Sequence, residues 1–238
     1  MKGMYITRHN EAVWIILRSL LTGRLGASVV MHDAGHQQDT SELRLLHAAD
    51  WGPSQEDTIA DRMYPDSTDG ELQQQRTRIG TRIPEWIYDT PIGPIQDKVE
   101  WDRYRPDILI ATAGSPSDGD KIEQFRSRSL HIVEVKYCRD TDRNVQSLRA
   151  EQQHQGLRDA LVRIGYESDQ VHMHVITLGA TGTIYKDTHS TLTALGLDSK
   201  AAVKRCCADL HKHAVRYVMK LLKTKWAQEY ANNKHGAG

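Results

Sequence analysis

Apolar residues recur at helical spacing in three segments of this chain. In residues 7–21 they follow the i, i+3, i+4, i+7 pattern of one helix face, and Gly23 follows as a stop signal. The second segment covers residues 144–164 and ends at Gly165, and the third covers residues 200–230. We predict three amphipathic helices, with Ala12, Val13, Ile16, Leu17 and Leu20 on the buried face of the first, and Val203, Cys207, Leu210, Ala214, Tyr217, Val218 and Leu221 on that of the last.

Short apolar runs between these helices predict strands. The runs are residues 27–31, 107–111, 130–137 and 172–178. A further segment, residues 82–88, contains Pro84, which favours the edge of a sheet. The order of helix, strand, loop, strands, helix, strand and helix predicts an α/β domain with a mixed central β-sheet flanked by helices.

The longest polar stretch is residues 33–80, which is acidic and rich in Gln, Asp and Ser. We interpret it as an insertion outside the core. Residues 90–94 predict a turn and residues 114–124 a loop. A chain of 238 residues with this apolar content buries one sizeable core, so we predict a single domain over residues 1–238.

The formal net charge is zero, but the charges are unevenly distributed. Residues 39–71 hold nine acidic and two basic side chains, whereas residues 199–238 hold nine Lys or Arg and two acidic residues. This asymmetry predicts a basic C-terminal helix at about residues 199–231, which suits a nucleic-acid partner. A helix whose lysines serve only solubility is the alternative.

No segment has the roughly 20 consecutive apolar residues of a membrane span, and the first residues lack the apolar core of a signal peptide. The cysteines, Cys138, Cys206 and Cys207, do not form a disulfide framework. We therefore expect a soluble intracellular protein with no membrane partner.

Two short motifs carry the candidate chemistry. Asp107 opens one predicted strand, and Glu134 and Lys136 lie near the end of the next. Residues i and i+2 of a strand point to the same face, so Glu134 and Lys136 project together while Val133 and Val135 pack on the other face. With Asp107 arriving from the neighbouring strand, two carboxylates and the Val135 carbonyl could share one hard cation.

This arrangement supplies what phosphodiester hydrolysis needs. Two carboxylates hold Mg²⁺, with Mn²⁺ able to substitute, and the ion retains waters that react with phosphate. Lys136 can orient the attacking water or stabilise the developing charge. Each motif alone is weak evidence for a nuclease. The alternative interpretation is a salt bridge between Asp107 and Lys136 on two surface strands.

The sequence Arg105-Pro106-Asp107 together with Glu134-Val135-Lys136 resembles the core of the PD-(D/E)xK nuclease superfamily, which includes type II restriction enzymes, Holliday-junction resolvases and RecB-like nucleases. Arg8-His9-Asn10 at the start of a helix resembles, more narrowly, the restriction-like endonuclease domain of site-specific non-LTR retrotransposons. The zinc knuckle and reverse transcriptase of those elements do not occur in these 238 residues. The resemblance implies a restriction-endonuclease-like core and a reverse transcriptase as an adjoining region or partner.

The same resemblance implies further site residues. An acidic residue on the first helix, here Glu11, would complete the metal site. A glutamine on the helix after Lys136 would contact the substrate or the lysine. Gln152 lies four residues after Leu148 and Gln153 four before Leu157, so periodicity does not choose between them. Arg8 and His9 would contact the phosphate or the scissile group.

These observations predict a Mg²⁺-dependent DNA endonuclease. The resemblance implies that it nicks target DNA in a retrotransposon-type system, and that it is nuclear if the element is eukaryotic. Arg103 and Arg105 and the basic C-terminal helix would hold backbone phosphates. Three alternatives stay open: a host repair or recombination nuclease acting on branched DNA, a domain that binds nucleic acid without cutting it, and a protein-interaction module that uses residues 39–71. The oligomeric state is left open.

Overall fold

A computed structural model describes residues 2–34, 79–88, 100–112 and 127–235 of the protein. The chain is mixed α/β, as predicted, with short 3-10 turns at Gly26–Ser28, Trp101–Arg103 and Asp140–Asp142. The helices are α1 (Lys2–Leu21), α2 (Glu85–Tyr88), α3 (Arg143–Arg163), α4 (Lys186–Ala194) and α5 (Lys200–His235). The strands are β1 (Val29–His32), β2 (Ile108–Ala111), β3 (Leu130–Cys138) and β4 (Val171–Gly179).

The strands form one mixed sheet in the order β1-β2-β3-β4. Strand β2 pairs antiparallel with β1 and with β3, whereas β3 and β4 are parallel. A parallel pair needs a crossover connection, and α3 provides it between β3 and β4. Strand β3 is therefore central, and its two faces contact different helices.

Helix α1 covers one face of the sheet, and α5 packs against α1 and α4 in the same apolar cluster. The apolar residues predicted for α1 are buried there, packed against Val133 and Val135 of β3, which are both 0% exposed. Burying a valine side chain contributes roughly 1.5 kcal/mol or more to stability, so this contact holds α1 on the sheet. On α5, Val203, Cys207, Leu210, Ala214 and Tyr217 are buried as predicted, and Val218 and Leu221 are half-buried.

Helix α3 covers the opposite face. Leu157 and Leu161 pack against Leu109, Leu130 and Ile132 of the sheet. Helix α3 ends at Arg163, and Gly165 follows with a φ of 111°, a left-handed conformation that glycine adopts without strain. The predicted end of this helix is thus confirmed.

Two predicted features differ from the structure. Residues 82–88 form no edge strand, because Pro84 precedes the short helix α2 and Ile83 and Ile87 are buried in the core. Proline suits the start of a helix, where its missing N–H would have no partner. The first helix begins at Lys2 rather than at residue 7, and α4 was not predicted.

Most of the predicted insertion, residues 35–78, lies outside the described residues, as do the predicted turn at 90–94 and loop at 114–124. Among the helices that are described, none combines the length and the apolar character needed to span a membrane.

Candidate active site

Asp107 and Glu134 face each other across strands β2 and β3. Ile108 pairs with Val133 in the antiparallel register, and continuing that register by one residue sets Asp107 opposite Glu134. Directly opposed residues point to the same face of a sheet. The two acidic residues are only 5% and 2% exposed, which is unusual for carboxylates and requires polar partners for both.

The carboxylate of Asp107 has two partners. The Val135 backbone N–H donates to Oδ2 at 2.6 Å, and His9 Nε2 on α1 lies 2.9 Å from Oδ1. Burial raises the pKa of Asp107 above its ordinary value, and the Glu134 charge adds to the rise while the His9 hydrogen bond opposes it. Burial alone would lower the pKa of His9, but Asp107 outweighs it and holds that pKa above its ordinary value.

Glu134 lies between a lysine and a histidine. Lys136 Nζ donates to Oε1, and His154 Nε2 on α3 lies 2.7 Å from Oε2. Burial would raise the pKa of Glu134, but the hydrogen bonds from His154 and Lys136 outweigh it and hold that pKa below its ordinary value. Glu134 is therefore ionised near neutral pH, and His154 Nε2 must be the donor.

Lys136 connects the buried carboxylate to the surface. Its ammonium also donates to Gln153 Oε1 at 3.0 Å, and its side chain is 26% exposed while that of Glu134 is 3% exposed. A positive charge at the mouth of a buried anionic site is well placed to meet an anionic substrate.

Of the two glutamines that periodicity could not separate, Gln153 therefore contacts the lysine. Gln152 does not lie on an inward face of α3, since Leu148, four residues before it, is itself 54% exposed. The buried stripe of α3 runs instead through Ala150, His154, Leu157 and Leu161.

Sequence reasoning missed His154. It lies at i+4 from Ala150 and three residues before Leu157, on the inward stripe of α3, and it is 3% exposed. A polar residue on an otherwise apolar stripe of the helix that follows the Glu134 motif was the signal that could have indicated it.

The structure brings His9 but not Glu11 to the carboxylate pair. Two residues along a helix rotate a side chain by about 200°, so Glu11 points away from the side on which His9 meets Asp107. Glu11 instead accepts a hydrogen bond from Tyr217 at 3.3 Å and lies 3.2 Å from His213 Nδ1, both on α5. Its partners belong to the contact between α1 and α5.

Arg8 also lies within the packing of α1. It is 7% exposed, its guanidinium stacks 3.9 Å above the Tyr137 ring, and it donates to the Ala180 carbonyl at 3.3 Å. A phosphate would reach Arg8 only if the side chain left these contacts. Arg105, two residues before Asp107, is exposed, whereas Arg103 pairs with Glu100 at 2.8 Å on the surface.

The oxygen atoms at this site suit a hard cation. Besides the two carboxylates, the Val135 carbonyl is a third candidate oxygen ligand. It leaves β3 on the same side as the Val135 N–H, and that N–H points to Asp107, the residue before β2. In the described ranges, no three or more His, Cys, Asp or Glu side chains already stand arranged to hold a metal ion. A bound cation would therefore need the Val135 carbonyl and water to complete the set.

Comparison with protein-family models, with curated proteins and with solved structures gives no match to this chain. The resemblance to the PD-(D/E)xK nucleases thus rests on the quoted residues alone.

Proposed function

We propose that this protein is a metal-dependent endonuclease that hydrolyses phosphodiester bonds of DNA. The observation that carries the proposal is the buried pair of Asp107 and Glu134, opposed across two strands, with the Lys136 ammonium bound to Glu134 at the protein surface. Two like charges this deeply buried are costly for a fold, and a site that gathers a cation explains why both are present.

Asp107, Glu134 and the Val135 carbonyl would hold the cation, for which Mg²⁺ is the expected ion and Mn²⁺ a substitute. When bound, such an ion neutralises charge on the phosphoryl group and lowers the pKa of a coordinated water. The Val135 N–H and the His9 ring fix the orientation of the Asp107 carboxylate, as His154 fixes that of Glu134.

Lys136 is the residue that meets the reacting phosphate in this proposal. Its ammonium is held by Glu134 on one side and by Gln153 on the other. Binding a phosphate would therefore cost the lysine little further conformational entropy. From this position it orients the attacking water and stabilises charge on the phosphoryl oxygens.

His9 is the second candidate for contact with the substrate. Its Nε2 is used by Asp107, and its side chain is 30% exposed. Because its pKa is raised, His9 keeps a proton closer to neutral pH than an ordinary histidine, and it is suited to protonate the leaving oxygen through Nδ1, the nitrogen that Asp107 does not occupy.

The distribution of exposed cations supports a nucleic-acid substrate, and the resemblance to the PD-(D/E)xK nucleases makes DNA the proposed one. Arg105 lies beside the site, and α5 exposes several basic side chains along its length: Lys204, Arg205, Lys212, Arg216, Lys220, Lys223 and Lys225. Phosphate contacts of this kind are weakened by salt, so we expect binding to fall steeply between 50 and 200 mM salt, as is typical of such contacts.

The finer proposal is that the enzyme nicks a target site for a retrotransposon-type system with a reverse transcriptase. A nuclease acting on branched DNA is the alternative within the same chemistry. Comparing supercoiled, linear, flapped and four-way DNA substrates separates them, because a resolvase prefers the four-way junction and a target-site nickase does not.

The deciding experiment is plasmid cleavage by the full chain with Mg²⁺, with Mn²⁺ and with EDTA. We expect cleavage with either metal and none with EDTA, and a loss of about 10²-fold or more in Lys136→Ala. Asp107→Asn and Glu134→Gln should be equally impaired, while Asp169→Asn and Glu151→Gln, exposed carboxylates elsewhere, serve as matched controls. Full activity of Lys136→Ala would refute the proposed function.

Binding of nucleic acid without cleavage is the second candidate. It is favoured by the observation that all four carboxylate oxygens of Asp107 and Glu134 already accept a protein hydrogen bond or ion pair. Calorimetric titration of the protein with Mg²⁺ and Mn²⁺ distinguishes the two. DNA binding with no metal binding and no cleavage would favour this second function.

A further inference from the structure

Three histidines lie together on the sheet, away from the carboxylate pair. His131 of β3 pairs in register with His172 of β4, and His174 follows two residues later on the same face. The rings of His172 and His174 lie 4.8 and 5.2 Å from that of His131, each tilted 25° to it. Nothing in the proposed hydrolytic site uses these side chains.

The closest contact joins two ring nitrogens. His131 Nδ1 lies 3.0 Å from His174 Nε2, so one of the two nitrogens donates a hydrogen atom to the lone pair of the other. This contact requires at least one neutral imidazole. Burial, with the charges of neighbouring histidines, lowers the pKa of both His131 and His174 to about 4, so both rings are neutral at pH 7.

We propose that His131 and His174 form a binding site for a late first-row transition-metal dication, Cu²⁺ above all. Neutral imidazoles are good ligands for such ions. These two nitrogens lie 3.0 Å apart on one face of the sheet, so a modest turn of each ring away from their shared hydrogen bond would aim both lone pairs at one ion. To bind, one imidazole moves its proton to its other ring nitrogen, so coordination requires no net release of protons from the pair.

The spacing of the nitrogens favours some metal geometries over a tetrahedral one. With metal-to-imidazole distances of about 2.0 Å, two nitrogens 3.0 Å apart subtend an angle close to a right angle at the metal. This is the angle between neighbouring ligands in a square-planar or tetragonal site, the geometry of Cu²⁺ and Ni²⁺, whereas Zn²⁺ prefers a tetrahedron. Water would fill the remaining positions, and the His172 ring stacks beside His131.

This site is separate from the carboxylate pair. His131 precedes Glu134 by three residues, which along a strand is about 10 Å, and an odd spacing sends the two side chains to opposite faces of the sheet. Glu134 faces α3, whereas His131 and His174 lie on the face that carries Val133 and Ile176. Loss of one site should therefore leave the other intact.

The experiment is titration of the tag-free, chelator-treated full chain with Cu²⁺ alone, followed by calorimetry and electron paramagnetic resonance. We expect one tight equivalent of Cu²⁺ with a tetragonal spectrum split by two nitrogens, and weaker binding of Ni²⁺ and Zn²⁺. His131→Gln and His174→Gln should each weaken binding by roughly 10- to 100-fold. His189→Gln, an exposed histidine on α4, is the matched control and should bind Cu²⁺ as the wild type does.

Circular dichroism in EDTA verifies that each variant is folded. If a variant is unfolded, the wild-type spectrum still tests the site, because a spectrum without coordinated nitrogen excludes it. A wild-type spectrum with no coordinated nitrogen, or equal Cu²⁺ affinity in folded His131→Gln, His174→Gln and wild type, would overturn the proposal. Neither result depends on whether the protein cleaves DNA.

Discussion

His154 Nε2 lies 2.7 Å from Glu134 Oε2, and both side chains are only 3% exposed. The histidine reaches the strand from the buried stripe of α3, so the crossover helix fixes the orientation of the acidic residue. The other carboxylate oxygen of Glu134 is left to Lys136. His154 is thus a positioning residue, which acts on the proposed site through Glu134 rather than on a substrate.

Replacing His154 with Ala should raise the pKa of Glu134, because a buried carboxylate loses one of its two donors. We expect the acidic limb of the pH–rate profile to move to higher pH and stability to fall by about 1–3 kcal/mol. His154→Gln retains a hydrogen-bond donor, so its pH–rate profile and its stability should both lie between those of His154→Ala and the wild type. Denaturant unfolding and cleavage measured across pH test this, and an unchanged pH profile in His154→Ala would contradict it.

Gln153 and Gln152 form a natural pair of test and control residues. Both side chains are exposed, but Gln153 holds the Lys136 ammonium at 3.0 Å, and Gln152, at the neighbouring position of the same helix, is rotated from it by about 100°. We expect Gln153→Ala to lower the cleavage rate by roughly 10-fold or more, since the lysine loses one of the contacts that aim it. Gln152→Ala should cleave at the wild-type rate. Equal rates in the two variants would show that Gln153 does not position Lys136.

The sequence predicted the parts of the fold in which pattern and packing agree. Alternating residues in β3 put Glu134 and Lys136 on one face and Val133 and Val135 on the other, and the structure has them so. The helical periodicity of α1 and α5 likewise identified their buried faces. In these elements the same residues determine the local structure and its burial.

Prediction failed where the local sequence does not carry the signal. Helix α4, Lys186–Ala194, has few apolar residues, with Thr188 and Leu192 as its buried positions, so periodicity does not mark it. Helix α3 exposes Val145 and Leu148 and buries His154, which reverses the usual relation of polarity and burial. The partner of His154 is Glu134, distant in sequence, and only the folded chain brings the two together.

Glu11 provides a test of which acidic residues belong to the proposed metal site. Its carboxylate contacts His213 and Tyr217 of α5, and α1 turns it away from Asp107. We therefore expect Glu11→Gln to leave the Mg²⁺ concentration for half-maximal cleavage unchanged, while Asp107→Asn abolishes cleavage. Stability should fall by about 1 kcal/mol as the contacts to α5 weaken. A large rise in the required Mg²⁺ would instead assign Glu11 to the metal.

Stability should depend on pH through His131 and His174. Burial lowers the pKa of each to about 4 in the folded protein, against 6.5 for an ordinary histidine, so the unfolded chain binds protons first as the pH falls. Their contribution to the free energy of unfolding is therefore complete above pH 6.5 and is lost as the pH falls from 6.5 toward 4. His172 and Arg24 add to the effect because their charges disfavour a second positive charge on this face.

The measurement is the melting temperature in EDTA between pH 7 and 4.5. We expect it to fall less steeply with decreasing pH in the double variant His131→Gln, His174→Gln than in the wild type, whatever the absolute stabilities. His189→Gln should retain the wild-type slope. Identical slopes in the double variant and the wild type would show that these two histidines do not titrate between folded and unfolded states.

Replacing each of two glycines with alanine should change the stability of the protein in opposite directions. Gly196 ends α4 with a φ of 96°, and a Cβ there would lie 2.8 Å from the Leu25 backbone nitrogen, so Gly196→Ala should cost at least about 1–3 kcal/mol. Gly156 lies inside α3, where a Cβ would meet Tyr104 at 3.4 Å, an ordinary contact. Gly156→Ala should therefore stabilise the protein by up to about 1 kcal/mol through helix propensity. Denaturant unfolding of both variants checks this, and a destabilised Gly156→Ala would mean that Tyr104 cannot accommodate the added methyl group.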